Sequence, residues 1–303
     1  MKKITLLLII ISFSIATGIA QRTLGNGKPI NGLNNNNSGA NNFEREEGLY
    51  YTVNGMNIYY ESYGEGDPLL IIHDNGGSST SLNNQLNFFA KKFRVIVADT
   101  RGQGNSINTR DSINFELMAD DYYLLLEGLD LDSVNIVGWG DGGIIGLLLA
   151  INYPEKVKKL TVIGTALRTD TMAVRPAALA LWNDAISALK DSVAAGKKEY
   201  KDELLIAKLR ANHADIETDM LFNINCPVLV ITGDKDFVKL EHTVEIFQSI
   251  PNAHLGILPG TTHNVLKENA MQCNNMMLRF FNQEFVRPDG INPSAKKEKG
   301  DED

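Results

Sequence analysis

Two hydrophobic patterns alternate along the central part of this chain. Apolar and polar residues alternate over 49–53 and 56–63, on either side of the turn dipeptide Asn54-Gly55, and this pattern predicts a β-hairpin. Beyond it, short apolar runs alternate with stretches whose apolar residues are three and four positions apart, which indicates buried strands separated by helices. Such alternation is typical of a mostly parallel sheet covered by helices on both faces. The predicted strands lie at 69–72, 93–98, 134–137, 160–163, 227–232 and 254–258, and the predicted helices at about 80–91, 115–129, 141–153, 238–249 and 264–283.

The alternation is interrupted at about 165–220. This stretch carries amphipathic helical patterns at about 174–194 and 198–212 and no convincing strand pattern. A helical segment inserted between two strands of such a sheet most simply forms a cap over the carboxyl ends of the strands. The sequence therefore predicts an α/β domain over 48–286 with a small helical cap.

The first residues have the pattern of an export signal. Lys2 and Lys3 precede an apolar core at 4–15 that is too short to span a bilayer, and small residues follow it. We therefore expect residues 1–20 to be a signal peptide, so that Gln21 begins the mature chain of a secreted or periplasmic protein. The alternative is an uncleaved N-terminal anchor.

The composition, 43% hydrophobic and 22% charged residues, fits one globular domain with extra segments at its ends. Residues 21–47 are rich in asparagine and glycine, so we expect a flexible linker, and residues 287–303 form a charged tail that we expect to be disordered. The formal net charge of −8 argues against nucleic acid or an anionic membrane surface as the main partner. Cys226 precedes a predicted strand and Cys273 lies within a predicted helix, which favours two separate thiols over a disulfide.

Five short motifs that could carry chemistry lie at the ends of predicted strands. Residues 138–143 (Gly-Trp-Gly-Asp-Gly-Gly) follow a strand and begin a helix, which is the setting in which a G-x-S-x-G turn raises a serine above a sheet. Here glycine occupies the position of that serine. The other motifs are residues 73–77 (His-Asp-Asn-Gly-Gly), 99–106, 233–236 (Gly-Asp-Lys-Asp) and His263.

These motifs, taken in order, make residues 48–286 similar to an α/β-hydrolase with a small helical cap, of the serine esterase, lactonase or amidase type. The resemblance implies an α/β-hydrolase fold and a catalytic triad in the chain order nucleophile, acid, histidine. By position, Gly140 occupies the nucleophile's place, Asp236 is the acid and His263 is the base. Asp234 remains an alternative acid because it lies only two residues away.

The resemblance also implies further site residues. The backbone N–H groups of Asn75 and Asp141 would form the oxyanion hole, which stabilises negative charge in the transition state. Trp139 and His73 are candidate substrate contacts, although Trp139 could equally pack beneath the turn. The loop at 99–106 is expected to be a structural turn that braces its neighbour. In the cap, the candidate pocket residues, which are equally plausible as surface or packing residues, are Arg168, Arg175, Trp182 and His213.

Two positions depart from the pattern of this family. Gly140 has no nucleophilic atom, and removal of the nucleophile from a serine protease lowers turnover by roughly a millionfold. Asp74 replaces the glycine that usually follows the histidine of its loop. If its carboxylate pointed inward, it would oppose the charge that the oxyanion hole stabilises, and if it pointed outward it would matter less.

Other residues are poor substitutes for the serine. Asp141 lies one position late and should begin a helix, where a carboxylate is favourable for electrostatic reasons. Ser78 and Ser79 are expected to start the next helix. A water molecule activated by His263 and Asp236 is a better candidate, since that pair is intact.

Three functional hypotheses follow. The first is an exported relative of serine hydrolases of small esters, lactones or amides that has lost the acyl-enzyme mechanism and is a degenerate hydrolase or a ligand binder. The second is an active hydrolase or lyase in which His263 and Asp236 act as a general base on water. The third is an interaction protein that uses the surface of the cap. We expect a small molecule as the partner, no stable membrane span after signal cleavage, and no metal or cofactor, because the sequence shows no metal cluster or phosphate loop.

Overall fold

The computed structural model describes residues 48–211 and 216–287. The predicted signal peptide and linker, the cap residue His213 and nearly all of the predicted charged tail lie outside these ranges. The strands are β1 Leu49–Val53, β2 Met56–Tyr63, β3 Pro68–Ile72, β4 Arg94–Ala98, β5 Val134–Trp139, β6 Val157–Ile163, β7 Val228–Gly233 and β8 Ala253–Leu258. The α-helices are α1 Asn83–Phe89, α2 Phe115–Gly128, α3 Asp141–Asn152, α4 Pro176–Ala194, α5 Lys201–Ala211, α6 Leu240–Ser249, α7 Val265–Glu268 and α8 Ala270–Asn282.

The eight strands form one sheet in the order β1-β2-β4-β3-β5-β6-β7-β8. The pairs β1–β2 and β2–β4 are antiparallel, and every later pair is parallel. The residues of β5 and β7 are all buried, which explains why these strands are continuous apolar runs in the sequence. The predicted mostly parallel sheet with helices on both faces is confirmed.

A hydrophobic core fills each side of the sheet. On one side, α2 and α3 supply Tyr122 and Leu147 to a cluster with Ile136 of β5. On the other side, α1 and α8 supply Phe89 and Met277. Because apolar side chains cover both faces of the sheet, we expect the polar side chains of a site in the loops at the carboxyl ends of the strands.

The register brings those carboxyl ends together. Ile72 of β3 pairs with Gly138 of β5, and Trp139 of β5 pairs with Ile163 of β6. Gly233 at the end of β7 pairs with Leu258 at the end of β8. The loops that carry the sequence motifs therefore start from one edge of the sheet.

The helices α4 and α5 lie within the stretch for which the sequence predicts a cap. Two backbone hydrogen bonds join the start of this stretch to the loop after β7: the Arg175 N–H donates to the Phe237 carbonyl at 2.9 Å, and the Lys239 N–H donates to the Ala173 carbonyl at 2.8 Å. The cap is thus anchored beside the loop that carries Asp236.

Two predicted helices differ from the observed ones. The segment predicted as one helix at 264–283 is divided at Asn269, whose backbone angles (φ −139°, ψ 52°) are not helical. The helix predicted at about 80–91 begins with a 3₁₀ turn, Ser79–Leu82, before α1. Apolar spacing continues across both irregularities, so periodicity alone did not indicate them.

Two further sequence expectations concern thiols and membranes. Cys226 and Cys273 are both free, and burial raises the pKa of each thiol to about 12. Among the described residues, no helix combines the length and the apolar character needed to cross a bilayer.

A buried ion pair fixes the loop after β4 to helix α2. Arg101 donates from Nε and Nη2 to the two carboxylate oxygens of Asp121, both at 2.7 Å, and both side chains are essentially inaccessible to solvent. In the same loop, the Asp99 carboxylate accepts the N–H groups of Ser79 and Asn105. These contacts agree with the structural role expected for residues 99–106.

We predict that Asp121→Asn destabilises the protein by about 3–5 kcal/mol, because removing one partner leaves the buried Arg101 charge without compensation. Asp111→Asn is the matched control, since Asp111 pairs with Lys201 at the solvent-exposed surface, and it should leave the free energy of unfolding nearly unchanged. Urea unfolding of the two variants measures both values. Equal destabilisation by the two substitutions would contradict a structural role for the buried pair.

Candidate active site

Gly140 forms the sharp turn between β5 and α3. Its backbone angles are φ +56° and ψ −116°, a conformation that glycine adopts easily and other residues rarely do. The Gly140 N–H donates to the Ile163 carbonyl at 2.8 Å, and its own carbonyl accepts the Gly143 N–H at 3.0 Å. The strand-turn-helix geometry expected of a nucleophile's position is therefore present, although the side chain is absent.

Asp236 and His263 lie together beside this turn. His263 Nδ1 is 3.1 Å and 3.3 Å from the two carboxylate oxygens of Asp236, and both side chains are buried. The Asp236 carboxylate also accepts the Val238 N–H at 3.0 Å. Asp234 instead accepts the Gly260 N–H at 2.8 Å, so the geometry pairs Asp236 with the histidine. The triad roles themselves stay predictions.

Aromatic side chains hold the His263 imidazole in place. The ring of Phe237 stacks on it with centroids 4.1 Å apart. Trp139 packs 5.8 Å away, and its indole N–H donates to the His263 carbonyl at 3.0 Å. Trp139 is buried and does not line the cavity of the site as the described residues form it, so it packs beneath the turn rather than forming the pocket floor.

The Asp74 carboxylate points into the site, which the sequence left open. Oδ2 lies 3.2 Å from His263 Nε2, and Oδ1 accepts the Asp141 N–H at 3.0 Å. Arg210 of the cap helix α5 places Nη2 at 2.8 Å from both oxygens. A single carboxylate thus occupies half of the expected oxyanion hole and contacts the expected base.

The same carboxylate fills the space that a side chain at position 140 would need. A Cβ atom built on Gly140 would lie 1.9 Å from Asp74 Oδ1 and 2.3 Å from its Cγ. Such separations are far below van der Waals contact, so a serine at 140 and the observed Asp74 conformation exclude each other. The two positions that the sequence sets apart are therefore in direct spatial relation.

The cap closes over this carboxylate. The Arg210 guanidinium lies 5.2 Å from the centre of the Trp182 ring, and Trp182 meets Phe237 edge to face at 5.3 Å. The remaining cavity, which Phe115 also lines, measures about 20 Å³, which is room for roughly one water molecule. A cavity of this volume is smaller than an ester or lactone molecule.

Burial and neighbouring charges shift the pKa values of Asp74 and His263. Burial alone would raise the pKa of the Asp74 carboxyl, but Arg210 and His263 hold it well below its usual range. Burial would likewise lower the pKa of His263, yet its hydrogen bonds to Asp236 and Asp74 raise it to about 9. His263 is therefore an imidazolium at neutral pH, with Nδ1–H donating to Asp236 and Nε2–H donating to Asp74.

Asp141 is the second carboxyl group near Arg210. Burial raises its pKa to about 6, against the opposing effect of the Arg210 guanidinium, and the Asp74 charge adds to the rise. Its side chain accepts a hydrogen bond of 2.7 Å from Asn75 Nδ2, which also donates to the Ile206 carbonyl in α5 at 3.1 Å. Of the two residues expected to form the oxyanion hole, Asp141 already donates its N–H to Asp74, and the Asn75 side chain joins the core to the cap.

His73 is not positioned to contact a substrate. It is buried, its Nδ1–H donates to the Asp74 carbonyl at 2.8 Å, and its Nε2 accepts the Thr100 N–H at 2.9 Å. Burial lowers its pKa, which agrees with a neutral ring. With both nitrogens engaged, His73 braces its loop from behind, a correction to the expected substrate contact.

The remaining candidate residues differ in whether they line the cavity. Ser79 is buried and donates its N–H to Asp99, and neither it nor Ser78 lines the cavity within the described chain. Arg168 pairs with Glu245 at 2.8 Å, away from the cavity. Of the three cap candidates that the structure describes, Trp182 lines the cavity, whereas Arg168 and Arg175 do not. The fourth, His213, lies outside the described residues.

Sequence reasoning missed Arg210 and Phe237. Neither belongs to a motif, and Phe237 stands only one residue after the predicted acid. A signal for Arg210 was available, because a carboxylate at position 74 that points inward requires a cation, and the cap helices carry few arginines. In the part of the chain that the structure describes, no cluster of side chains has the composition of a metal site.

Comparisons with known proteins agree with the fold. The profile of the alpha/beta hydrolase fold family matches residues 67–225. RutD of Caulobacter sp. (strain K31), whose name denotes a carbamate hydrolase, is 27% identical over 77% of this chain and 98% of its own length. Human serine hydrolase BPHL is 29% identical over 70% of this chain and 79% of its own length.

A solved structure shows the same architecture. The enol-lactonase from Burkholderia xenovorans LB400 superposes with a TM-score of 0.65 and covers 78% of this chain and all of its own, at 23% identity. At that identity the likeness concerns the fold, and the described helices and strands account for it.

We predict that the imidazole of His263 titrates with a pKa of about 9 and that Asp74→Asn lowers this pKa, because the amide removes one of the two negative charges beside the ring. NMR titration of the ring protons measures both values. Asp234→Asn is the matched control and should leave the titration unchanged, since Asp234 bonds to Gly260 instead. A native His263 that titrates near 6.5 would contradict the imidazolium between two carboxylates.

The raised pKa also sets the sign of a stability change with pH. The folded protein retains the His263 proton up to about pH 9, whereas the unfolded chain releases it near pH 6.5. The contribution to stability is therefore full below about pH 6.5 and lost as the pH rises to about 9. The free energy of unfolding of Asp74→Asn should fall less over this window than that of the native protein.

Proposed function

The chain belongs to the α/β-hydrolase family, and we propose that it is a degenerate member without the acyl-enzyme reaction of serine hydrolases. One observation supports this most strongly: the Asp74 carboxylate lies where the side chain of a nucleophile at position 140 would stand. It engages the expected base and an expected oxyanion donor at the same time. The absence of a serine is thus accompanied by a contact that closes the site.

Asp74 is not arranged to replace the serine as a nucleophile. Arg210 donates to both of its oxygens, and the imidazolium of His263 and the Asp141 N–H donate to one oxygen each. Charge-assisted hydrogen bonds of this kind stabilise the carboxylate and reduce its tendency to attack carbon. The Asp74 carboxylate therefore has a structural rather than a nucleophilic role.

The same contacts weigh against His263 as a general base for water. A base must be unprotonated at the working pH, whereas the pKa of His263 is raised to about 9. Its Nε2, the atom that would accept the proton, already donates to Asp74. The Asp236–His263 pair is compatible with both hypotheses, and the contacts of His263 Nε2 with Asp74 favour the degenerate one.

The class of ligand is proposed from the family. The relatives RutD and BPHL carry names of hydrolases, and the solved structure with the same architecture is that of an enol-lactonase. We propose that the ancestral substrates of this site were small esters, lactones or amides. In the present chain a ligand of that size would have to displace Arg210 or Trp182 from the cavity.

We predict that the native protein and Gly140→Ser both lack esterase activity on p-nitrophenyl acetate, whereas Asp74→Gly/Gly140→Ser gains it. The single variant fails because the serine Cβ meets Asp74, while the double variant frees the serine, the oxyanion donor and His263. Since the nucleophile accounts for roughly a millionfold in a serine protease, partial recovery should raise the rate of the double variant about 100-fold or more above that of the native protein and of Gly140→Ser.

Labelling by a fluorophosphonate probe provides a second measurement on the same proteins. Only the double variant should be labelled, and adding His263→Ala to it should abolish both labelling and turnover. Hydrolysis by the native protein at enzyme-like rates, with dependence on His263, would refute the proposal.

We propose further that the protein is exported. The support lies in the first residues: Lys2 and Lys3, the apolar core at 4–15, and the small residues Gly18 and Ala20 that follow. Residues 1–47 lie outside the described chain, so this proposal is based on the sequence pattern.

Expression of the full chain in a Gram-negative host should yield a periplasmic or secreted product whose intact mass begins at Gln21. Ala20→Arg should block this processing, because signal peptidase requires a small residue at the cleavage site. Recovery of the native chain in the cytoplasm with residues 1–20 still attached would rule out a cleaved export signal.

A further inference from the structure

Three donors from separate parts of the described chain converge on the Asp74 carboxylate. The Asp141 N–H comes from the start of α3, His263 Nε2 from the loop after β8, and Arg210 Nη2 from the cap helix α5. Their distances to the carboxylate oxygens are 3.0 Å, 3.2 Å and 2.8 Å respectively. Two of the three donors carry positive charge, which is the combination that binds carboxylates most strongly.

Two of these donors, His263 and the Asp141 N–H, are held by contacts that do not involve the Asp74 side chain. His263 is held by Asp236 and Phe237, and the Asp141 N–H is fixed by the start of its helix. The loop of Asp74 is held by its own backbone, whose carbonyl accepts the Gly77 N–H at 2.9 Å. Removing the Asp74 side chain therefore leaves the loop and the core donors in place.

We propose that these donors form a binding site for a small monocarboxylate, and that Asp74 is its tethered occupant. Because the occupant is part of the chain, the site is filled at every concentration of external ligand. The Asp74 carboxylate neutralises the charges of Arg210 and His263, so the native cavity should not bind external anions. This inference shares the Asp74 contact with the proposed function, but it requires no statement about turnover.

The atoms that each substitution removes from Asp74 can be matched by a small carboxylic acid of the same size. Asp74→Gly deletes a –CH₂COO⁻ group, and acetate supplies the same atoms with one additional hydrogen. Asp74→Ala keeps the Cβ atom and deletes only the carboxylate, for which formate is the match. If the site binds carboxylates as described, acetate should be the better ligand for the glycine variant and formate for the alanine variant.

The experiment uses isothermal titration calorimetry on the full chain, with ionic strength held constant by chloride. Asp74→Gly should bind acetate with one site, and the efficiency limit for a ligand of four non-hydrogen atoms puts its dissociation constant at about 40 µM or weaker. The native protein and Asp74→Asn should show no binding, because the carboxylate or its amide isostere still fills the space. Circular dichroism establishes that each variant is folded.

The role of the cap is tested in the Asp74→Gly background. Adding Arg210→Met should weaken acetate binding by roughly 10- to 100-fold, since it removes a charge-assisted hydrogen bond. Adding Arg168→Met, the matched control, should leave the affinity unchanged because Arg168 pairs with Glu245 outside the site. The proposal is overturned if the native protein binds acetate as well as the glycine variant, if both folded variants bind neither acid, or if the order of preference fails to reverse.

These outcomes are separable from those of the proposed function. The calorimetry is carried out with glycine at position 140, so it detects the carboxylate site even if the double variant shows no esterase activity. Conversely, recovered esterase activity without acetate binding would support the degenerate hydrolase and reject the tethered occupant.

Discussion

The Asp74 carboxylate is held by charged donors from the core and from the cap, and this contact joins the two parts across the site. A buried carboxylate requires compensation, and the chain provides it with Arg210, His263 and a helix N-terminal N–H. Because Arg210 belongs to α5, the ion pair also draws the cap onto the sheet. The Asp74 side chain therefore contributes to the placement of the cap, to the charge of His263 and to the small volume of the cavity.

Much of the fold could be predicted from the sequence because parallel strands and amphipathic helices leave separate hydrophobic patterns. The hairpin at 49–63 and the apolar runs of β5 and β7 are found close to their predicted positions. The break at Asn269 was not predictable in this way, since a single residue outside the helical region does not change the spacing of apolar residues around it.

The location of the site was predictable because the candidate functional motifs lie directly after predicted strands. The turn at Gly140 was expected from its strand-turn-helix pattern, and the pairing of Asp236 with His263 from the resemblance to α/β-hydrolases, which left Asp234 as an alternative. The direction of the Asp74 side chain was not predictable, because a loop residue can face either way without changing the sequence pattern. Arg210 was also missed, since its contact with Asp74 spans 136 positions along the chain and joins two elements whose relative placement only the structure defines.

The mutual exclusion between a side chain at 140 and the carboxylate at 74 has a consequence for how such a protein arises. Under the proposed function, a carboxylate at 74 in its observed conformation and a serine at 140 would clash, so an ancestor that carried the serine would lose it before gaining the carboxylate. Under the same proposal, a serine restored at 140 alone would still meet the Asp74 carboxylate. The two positions are therefore expected to change together in any return to a serine at 140.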